Sequence, residues 1–212
     1  ITALAADKDG SLWIGTQAGG LDHYDPVLDR FEHYASDPMR SDSIASENIT
    51  ALMLDGRDWL WIAGNGGRLQ WLDRVTNHFL DAPLGDQSML ANVRVLRQAR
   101  DGSVLIGSRD GLWQCDLNAG NLHEWRYDPA QSLDVRALAI GPTGDVWVAT
   151  TSSGIYRFSE SGKALAWYRA GAGDAHALPG DEIRGMQFDR QWRLWVATKA
   201  NGLRRIDPDS DG

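Results

Sequence analysis

A fivefold internal repeat constrains this chain more than any other feature of its sequence. The units begin at Ile1, Ile49, Val93, Val135 and Ile183, so that successive starts lie 42 to 48 residues apart. Twelve positions after each start, without insertion or deletion, stand Trp13, Trp61, Leu105, Trp147 and Trp195. A repeat of this length indicates an architecture in which each unit is one supersecondary element.

Each unit has the pattern of short strands joined by tight turns. In the first unit, Asp9-Gly10 separates two apolar runs, and Gly19-Gly20 separates the second run from a third that begins at Leu21. Such turn residues between short apolar runs are typical of antiparallel strands. Val, Ile or Leu flanks the residue at the tryptophan position in every unit, which favours a strand buried on both faces. Four strands per unit predict one propeller blade per unit.

The predicted fold is therefore all-β, a β-propeller fragment of about five four-stranded blades. The predicted blades span 1–48, 49–92, 93–134, 135–182 and 183–212 of this single partial propeller. We expect the last blade to be incomplete, because its sequence supplies three strands and no strand before Ile1 is there to supply a fourth. We expect the arc to stay open, or to depend on other blades or a second copy of the chain to cover its ends.

The first unit resembles the repeat of the two-component regulator propeller family. The likeness rests on Asp7, Gly10, Trp13 and Gly15 followed by Gly19-Gly20-Leu21, and the other units repeat most of this motif. Unit three departs from it with Ala99 and Leu105, and unit four with Gly141. The resemblance implies an arc of a propeller that is often seven-bladed, in the periplasmic sensor region of a bacterial hybrid histidine kinase or diguanylate cyclase.

Composition excludes some partners. The chain has 29 acidic and 21 basic residues and a net charge of −8, which argues against binding to nucleic acid. It has no apolar run of the roughly 18–20 residues that cross a bilayer, so we expect no direct contact with a membrane. A single cysteine, Cys115, cannot form an intramolecular disulfide.

The sequence predicts no metal site and no cofactor. None of the histidines has zinc-binding spacing; they are His23, His33, His78, His123 and His176. Asp7, Asp55 and Asp189 end first strands just before a turn, where a carboxylate accepts hydrogen bonds from turn N–H groups. Calcium binding by these carboxylates is the alternative.

The recurring tryptophans Trp13, Trp61, Trp147 and Trp195 are predicted to be buried structural residues that pack one blade on the next. Trp59 and Trp192 precede the second strand in only two units, where they could pack on the turn or stack on a carbohydrate. The remaining candidates lie on outer strands, where lateral packing or an exposed patch is expected; they are Trp71, Trp125 and Trp167.

A cationic rim is the candidate ligand-binding site. Alternating strand directions bring the fourth-to-first linker and the second-to-third turn to the same face of a propeller. Position two of the successive first strands is Thr2, Thr50, Arg94, Arg136 and Arg184, and the facing turns carry Arg109 and Lys199. These cations could pair with neighbouring carboxylates such as Asp134 and Glu182, or could receive an anionic group by bidentate bonding.

Three functions remain open from sequence. The first is a non-catalytic, periplasmic sensory propeller that binds a carbohydrate or another small anionic ligand. The second is an assembly or dimerisation scaffold of the same receptor. The third is a propeller enzyme similar to streptogramin lyase, which needs a metal with a histidine and a glutamate near the channel. No histidine here is predicted on an inner strand or a second-to-third turn, which argues against the enzyme.

Overall fold

The computed structural model describes residues 1–84, 87–117, 119–130, 132–171 and 177–206, and these residues form five antiparallel sheets. The first sheet comprises β1 (Ala3–Ala6), β2 (Leu12–Gly15), β3 (Leu21–Asp25) and β4 (Arg30–Tyr34). The second comprises β5 (Ile49–Leu54), β6 (Leu60–Gly64), β7 (Leu69–Asp73) and β8 (His78–Asp81). A single 3₁₀ turn (Ser88–Leu90) is the only helical element in the described part of the chain.

The remaining sheets follow in chain order. The third comprises β9 (Val93–Gln98), β10 (Val104–Ser108), β11 (Leu112–Asp116) and β12 (Asn121–Trp125). The fourth comprises β13 (Val135–Ile140), β14 (Val146–Thr150), β15 (Ile155–Phe158) and β16 (Ala164–Tyr168). The fifth has three strands among the described residues, β17 (Ile183–Phe188), β18 (Leu194–Thr198) and β19 (Leu203–Ile206).

The arrangement of the sheets confirms the predicted propeller arc. Within each sheet the strands lie in chain order, so that every connection is a simple antiparallel turn. The first strands of the sheets pack beside one another in the order β1, β5, β9, β13 and β17. These five inner strands therefore line a common axis, from which each sheet extends outward as a blade.

Four apolar layers fill the spaces between successive sheets. Trp13 of the first sheet packs with Leu60 and Ile62 of the second. Trp61 of the second packs with Ile106 of the third, and Leu105 of the third sits in the next layer. Trp147 belongs to the layer shared by the fourth and fifth sheets. In the first four units the residue at the tryptophan position therefore faces the following sheet.

Trp195 differs from the other recurring tryptophans because it is only partly buried, whereas Trp13, Trp61 and Trp147 are at most 3% exposed. The expectation of near-complete burial is wrong for this residue. Its side chain lies on the face that, in the preceding units, meets the next sheet, and no other described sheet covers that face. Leu203 on the same sheet is exposed for the same reason.

The first sheet has a matching uncovered face on its other side. Leu4 and Phe31 are 59% and 62% exposed, whereas their counterparts in the second unit, Leu52 and Phe79, are buried against the first sheet. Large apolar side chains exposed together are unusual on a monomer surface and mark places where another surface packs. The arc thus ends in two apolar faces.

A carboxylate at the end of the inner strand anchors the recurring tryptophan. Asp55 accepts hydrogen bonds from the turn N–H groups of Arg57 (2.8 Å) and Trp59 (3.0 Å), while its other oxygen accepts the indole N–H of Trp61 at 3.0 Å. Asp189 does the same for its own turn and for Trp195 at 2.9 Å. The predicted turn capping is confirmed for both residues, and the indole contact adds a second role.

The first and third units lack this contact in different ways. Asp7 accepts the N–H of Lys8 at 2.7 Å and forms an ion pair with Arg74 at 2.6 Å, while the ring of Trp13 stacks on His23 with centroids 4.1 Å apart. Unit three has lost the carboxylate and the indole together, because alanine and leucine occupy the two positions. Without an indole N–H to satisfy, a leucine core needs no buried carboxylate.

Unit four places the carboxylate elsewhere in the turn. Asp145 accepts the indole N–H of Trp147 at 2.5 Å, the hydroxyl of Thr143 at 2.5 Å and Nε of Arg157 at 2.6 Å. A Cβ on Gly141 would lie 2.4 Å from Oδ1 of Asp145, so no larger residue fits there without a shift. The glycine that departs from the repeat motif is therefore the one that makes room for Asp145.

Candidate functional site

A β-bulge interrupts four of the inner strands at the same position. The pairing with the second strand skips the second residue of each, namely Thr50, Arg94, Arg136 and Arg184. Positions one and four of the same strands are buried between the sheets. Because a bulged residue has no partner in the ladder, its side chain is redirected. The bulge thus turns position two out of the core.

The redirected side chains converge on one cavity of about 370 Å³, lined by Thr2, Thr50, Arg94, Arg136 and Arg184, which we call the rim cavity. Its cationic residues come from the third, fourth and fifth blades and its threonines from the first and second. No acidic residue is among these lining residues, although the chain has a net charge of −8. The structure brings the three predicted arginines together, and ligand binding by them stays a prediction.

The threonine side of the rim cavity is already engaged by the backbone. The hydroxyl oxygen of Thr2 lies 2.5 Å from the carbonyl oxygen of Ile49, and the hydroxyl of Thr50 donates to the carbonyl of Ala63 at 3.2 Å. These contacts join neighbouring strands near the axis. The hydrogen-bond donors left over in the cavity are therefore mainly those of the arginines.

The three arginines have different partners. Arg94 forms an ion pair with Asp134 and donates to the hydroxyl of Thr151 at 3.2 Å. For this arginine the structure shows the pairing with a neighbouring carboxylate that the sequence offered as the alternative to ligand binding. Arg136 and Arg184 are exposed and make no ion pair with a described residue. Lys199, rather than Arg184, is the partner of Glu182, with Nζ and Oε2 2.8 Å apart.

Arg109 and Lys199 lie on the same face but outside the rim cavity. The backbone N–H of Arg109 donates to the carbonyl of Asn92 at 3.1 Å, and that of Lys199 to the carbonyl of Glu182 at 3.0 Å. Each bond ties a second-to-third turn to the residue before an inner strand, which confirms that turn and linker share a face. The hydrogen bond and charge of Lys199, with a smaller effect of Arg184, lower the pKa of Glu182.

Most of the candidate aromatic residues pack on protein. Trp59 lies against Trp71 with ring centroids 4.3 Å apart, and Trp125 is buried beside Phe158. Trp167 stacks on Tyr156 at 5.3 Å and has the guanidinium of Arg169 4.9 Å from its ring centre. Trp192 is different because half of it is exposed.

The described histidines lie on outer strands, namely His23 on β3, His33 on β4, His78 on β8 and His123 on β12. His176 falls outside the described residues. Within the part of the chain that the structure describes, no group of three or more His, Cys, Asp or Glu is arranged to hold a metal ion. Cys115 is fully buried, and burial raises the pKa of its thiol to about 12.

Arg97 is a cation near the axis that sequence reasoning missed. It lies on β9, and it lines two further cavities of about 440 and 310 Å³. Its Nε donates to the carbonyl of Leu138 on the neighbouring inner strand at 3.3 Å. The sequence could have revealed Arg97 by its place in the repeat, because it is the fifth residue of its inner strand and the fifth residues of the other inner strands are uncharged. These are Ala5, Met53, Ala139 and Gln187.

Comparison with protein families identifies the repeat. Residues 1–18, which include the first inner strand, its turn and Trp13, match the family model described as two component regulator propeller. The first unit is therefore a two-component regulator propeller repeat. The resemblance deduced from the sequence motif is therefore confirmed. A comparison with curated protein sequences found no match.

Solved structures resemble the whole five-sheet arc of this chain. One is the extracellular domain of a hybrid two component system from B. thetaiotaomicron, with a TM-score of 0.68 at 18% identity over 96% of this chain and 33% of that one. A second is PorZ, a surface component of the type-IX secretion system of Porphyromonas gingivalis, with a TM-score of 0.69 at 19% identity over 96% and 31%. The chain thus spans about a third of each of these structures.

A third similar structure is an enzyme, virginiamycin B lyase from Staphylococcus aureus, with a TM-score of 0.73 at 12% identity over 99% of this chain and 70% of that one. At these identities the likeness establishes the propeller fold, which sensors and enzymes share.

Among the described residues, no helix is long and apolar enough to cross a membrane.

Proposed function

We propose that this chain is the non-catalytic, extracytoplasmic ligand-binding propeller of a bacterial signalling receptor, located in the periplasm. The repeat family and the likeness to the extracellular domain of a hybrid two component system support this role. A small anionic ligand, such as an acidic carbohydrate, binds in the rim cavity. The observation that carries the proposal is the convergence of three arginines, two of which make no ion pair with a described residue, in a cavity without acidic lining residues.

The chemistry of the rim cavity suits such a ligand. A guanidinium presents a planar fork of N–H donors that matches a carboxylate, sulfate or phosphate group. Arg136 and Arg184 come from adjacent blades and make no ion pair with a described residue, while Arg94 is held in place by Asp134. A cavity of about 370 Å³ is at the small end of the range for small-molecule sites.

Removing two of the arginines tests the proposal. An acidic oligosaccharide should bind the Arg136→Ala, Arg184→Ala double variant at least about tenfold more weakly than the original chain, because each charge-assisted hydrogen bond contributes roughly 1.5–3 kcal/mol. Isothermal titration calorimetry measures the difference. Arg109→Ala, which removes a cation from the same face but outside the cavity, is the control and should bind normally. Equal affinity of the double variant would refute an anion site in the rim cavity.

The enzymatic alternative has little support in the described residues. The lyase considered from sequence needs a metal with a histidine and a glutamate near the channel, whereas the four described histidines lie away from the inner strands. Cys115 is buried with a raised pKa, which makes it a poor nucleophile. Virginiamycin B incubated with the chain and a divalent metal should be recovered unchanged by liquid chromatography. Turnover that depends on the chain would support the lyase instead.

The two uncovered apolar faces favour a second candidate, an assembly scaffold whose ends are covered by other blades or by a second copy. The face of the first sheet that carries Leu4 and Phe31 corresponds to the one that receives the recurring tryptophan in the second unit. The face of the fifth sheet that carries Trp195 and Leu203 corresponds to the one that supplies it. The face of the fifth sheet in one copy could therefore pack on the face of the first sheet in another, as successive sheets do within the arc.

Light scattering after size exclusion tests this candidate. The 212-residue chain should associate with increasing concentration, and Phe31→Glu should shift it toward the monomer because the charge would have to be buried in the contact. Leu165→Glu, which changes an exposed apolar residue on the outer strand of the fourth sheet, is the control and should not alter association. A monomer at all concentrations would rule out self-association through these faces.

A further inference from the structure

A further cavity lies along the inner strands, and the cavity of about 440 Å³ lies between it and the rim cavity, sharing Arg136 with the rim cavity and Arg97 with this one. Its volume is about 310 Å³, and it is lined by the second halves of β13 and β17 together with Arg97 of β9 and Trp192 of the turn between β17 and β18. Apart from Arg97 and Gln187, its lining residues are apolar. The rim cavity shares no lining residue with it.

Trp192 occupies a backbone position that disfavours it. The tenth residue of every unit has a positive φ, between 60° and 88°; these residues are Gly10, Asp58, Gly102, Gly144 and Trp192. Glycine and aspartate tolerate this left-handed conformation, whereas a bulky aromatic residue rarely adopts it. Strained residues of this kind gather at functional sites, where the surrounding structure supports the strain.

The exposure of Trp192 makes a simple packing role insufficient. Half of the residue is accessible, and its ring contacts Phe188 edge-on, with centroids 6.1 Å apart and planes at 61°. The neighbouring units form the same turn without an aromatic residue at this position. The side chain thus adds an aromatic surface to the cavity rather than completing the turn.

Arg97 supplies the cavity with a charge that has unused donors. One of its five N–H groups donates to the carbonyl of Leu138 at 3.3 Å, and it makes no ion pair with a described residue. Arg97 is exposed, and the protein atoms that surround part of its guanidinium lower its pKa by desolvation. An anion beside the guanidinium would gain a charge-assisted hydrogen bond from its remaining donors.

We propose that this cavity is a second binding site, and that it takes an aromatic carboxylate. The carboxylate binds the guanidinium of Arg97, and the ring lies between Trp192 and the apolar side chains of Leu138, Ile140 and Met186. A single cation and a single amide in an otherwise apolar lining suit one anionic group on an apolar ring. A sugar ring would leave most of its hydroxyl groups without partners there.

The site can be tested with 2-naphthoate and its neutral analogue 2-naphthamide, by calorimetry and by quenching of tryptophan fluorescence. The chain should bind the carboxylate at least about tenfold more tightly than the amide, because only the former pairs with Arg97. Arg97→Met, which keeps the apolar stem, should abolish that preference. The Arg136→Ala, Arg184→Ala variant should bind 2-naphthoate normally, which separates this site from the rim cavity.

A further variant, Trp192→Gly, ensures that a loss of binding is not caused by unfolding. Glycine suits the positive φ, so this variant should melt at the same temperature as the original chain or higher, while its affinity for 2-naphthoate falls at least about tenfold. Absence of binding to the original chain at millimolar concentration would overturn the proposal. So would unchanged binding in Arg97→Met, or tighter binding of glucuronate than of 2-naphthoate at this site.

Discussion

Replacing Trp147 with alanine should lower the free energy of unfolding by about 3–5 kcal/mol, because it empties a fully buried aromatic site between the fourth and fifth sheets. The indole stacks on Tyr168, with centroids 5.1 Å apart and planes at 20°, and lies under the guanidinium of Arg157 at 5.1 Å. Urea unfolding followed by circular dichroism measures the change.

Trp167→Ala is the matched control for this experiment. Trp167 is also a tryptophan of the fourth sheet, but it is 40% exposed and lies on the outer strand β16. Its removal opens less buried volume and should cost clearly less than the loss of Trp147. A loss below about 1 kcal/mol in Trp147→Ala would contradict a packing role between blades.

Replacing Asp145 with alanine should cost roughly 3 kcal/mol, because it leaves a buried indole N–H and a partly buried guanidinium without their acceptor. Only 4% of Asp145 is exposed, and the side chain of Arg157 is 26% exposed, so water can compensate the arginine only in part. Asp58→Asn is the control, since it removes one charge of an ion pair with Lys8 whose side chains are largely exposed, and asparagine tolerates the positive φ at this position.

The pH dependence of stability gives an independent reading of Asp145. Burial alone would raise its pKa, but the hydrogen bonds from Thr143 and Arg157, with the charge of Arg157, outweigh burial and lower it. A carboxyl with a lowered folded-state pKa stabilises the protein above its unfolded pKa and loses that contribution as the pH falls through the folded value. Stability should therefore decline below about pH 4, and less steeply in Asp145→Ala. An identical acid limb in both proteins would contradict this role.

Much of the fold could be predicted from sequence because the repeat is encoded locally. Alternating apolar residues and turn glycines specify each strand pair within a few residues, and five copies of the pattern identify the blade. The capping roles of Asp55 and Asp189 followed in the same way. The role of Asp145 did not, because in unit four the carboxylate moves four positions along the turn and only its contacts reveal the exchange with Gly141.

The candidate sites, too, were predicted from the sequence only in part. Position two of the inner strands marked the arginines of the rim, since equivalent positions in a repeat lie at equivalent distances from the axis. The sequence did not indicate which of them are paired, because the partners Asp134 and Glu182 lie in linkers whose side chains are placed by the neighbouring turn. Arg97 and Trp192 were not joined into one site, since they are distant in sequence and meet only across three blades.

The sequence by itself determined the strands, their order and the family of the repeat, because these depend on interactions between residues close in the chain. Only the tertiary structure decided which faces are covered and where side chains point. The bulge turns Arg136 from the core to the rim cavity, and the lack of a following described sheet leaves Trp195 half-buried although its local sequence matches that of Trp147. Burial and electrostatic environment depend on the packing of whole blades, which no single repeat encodes.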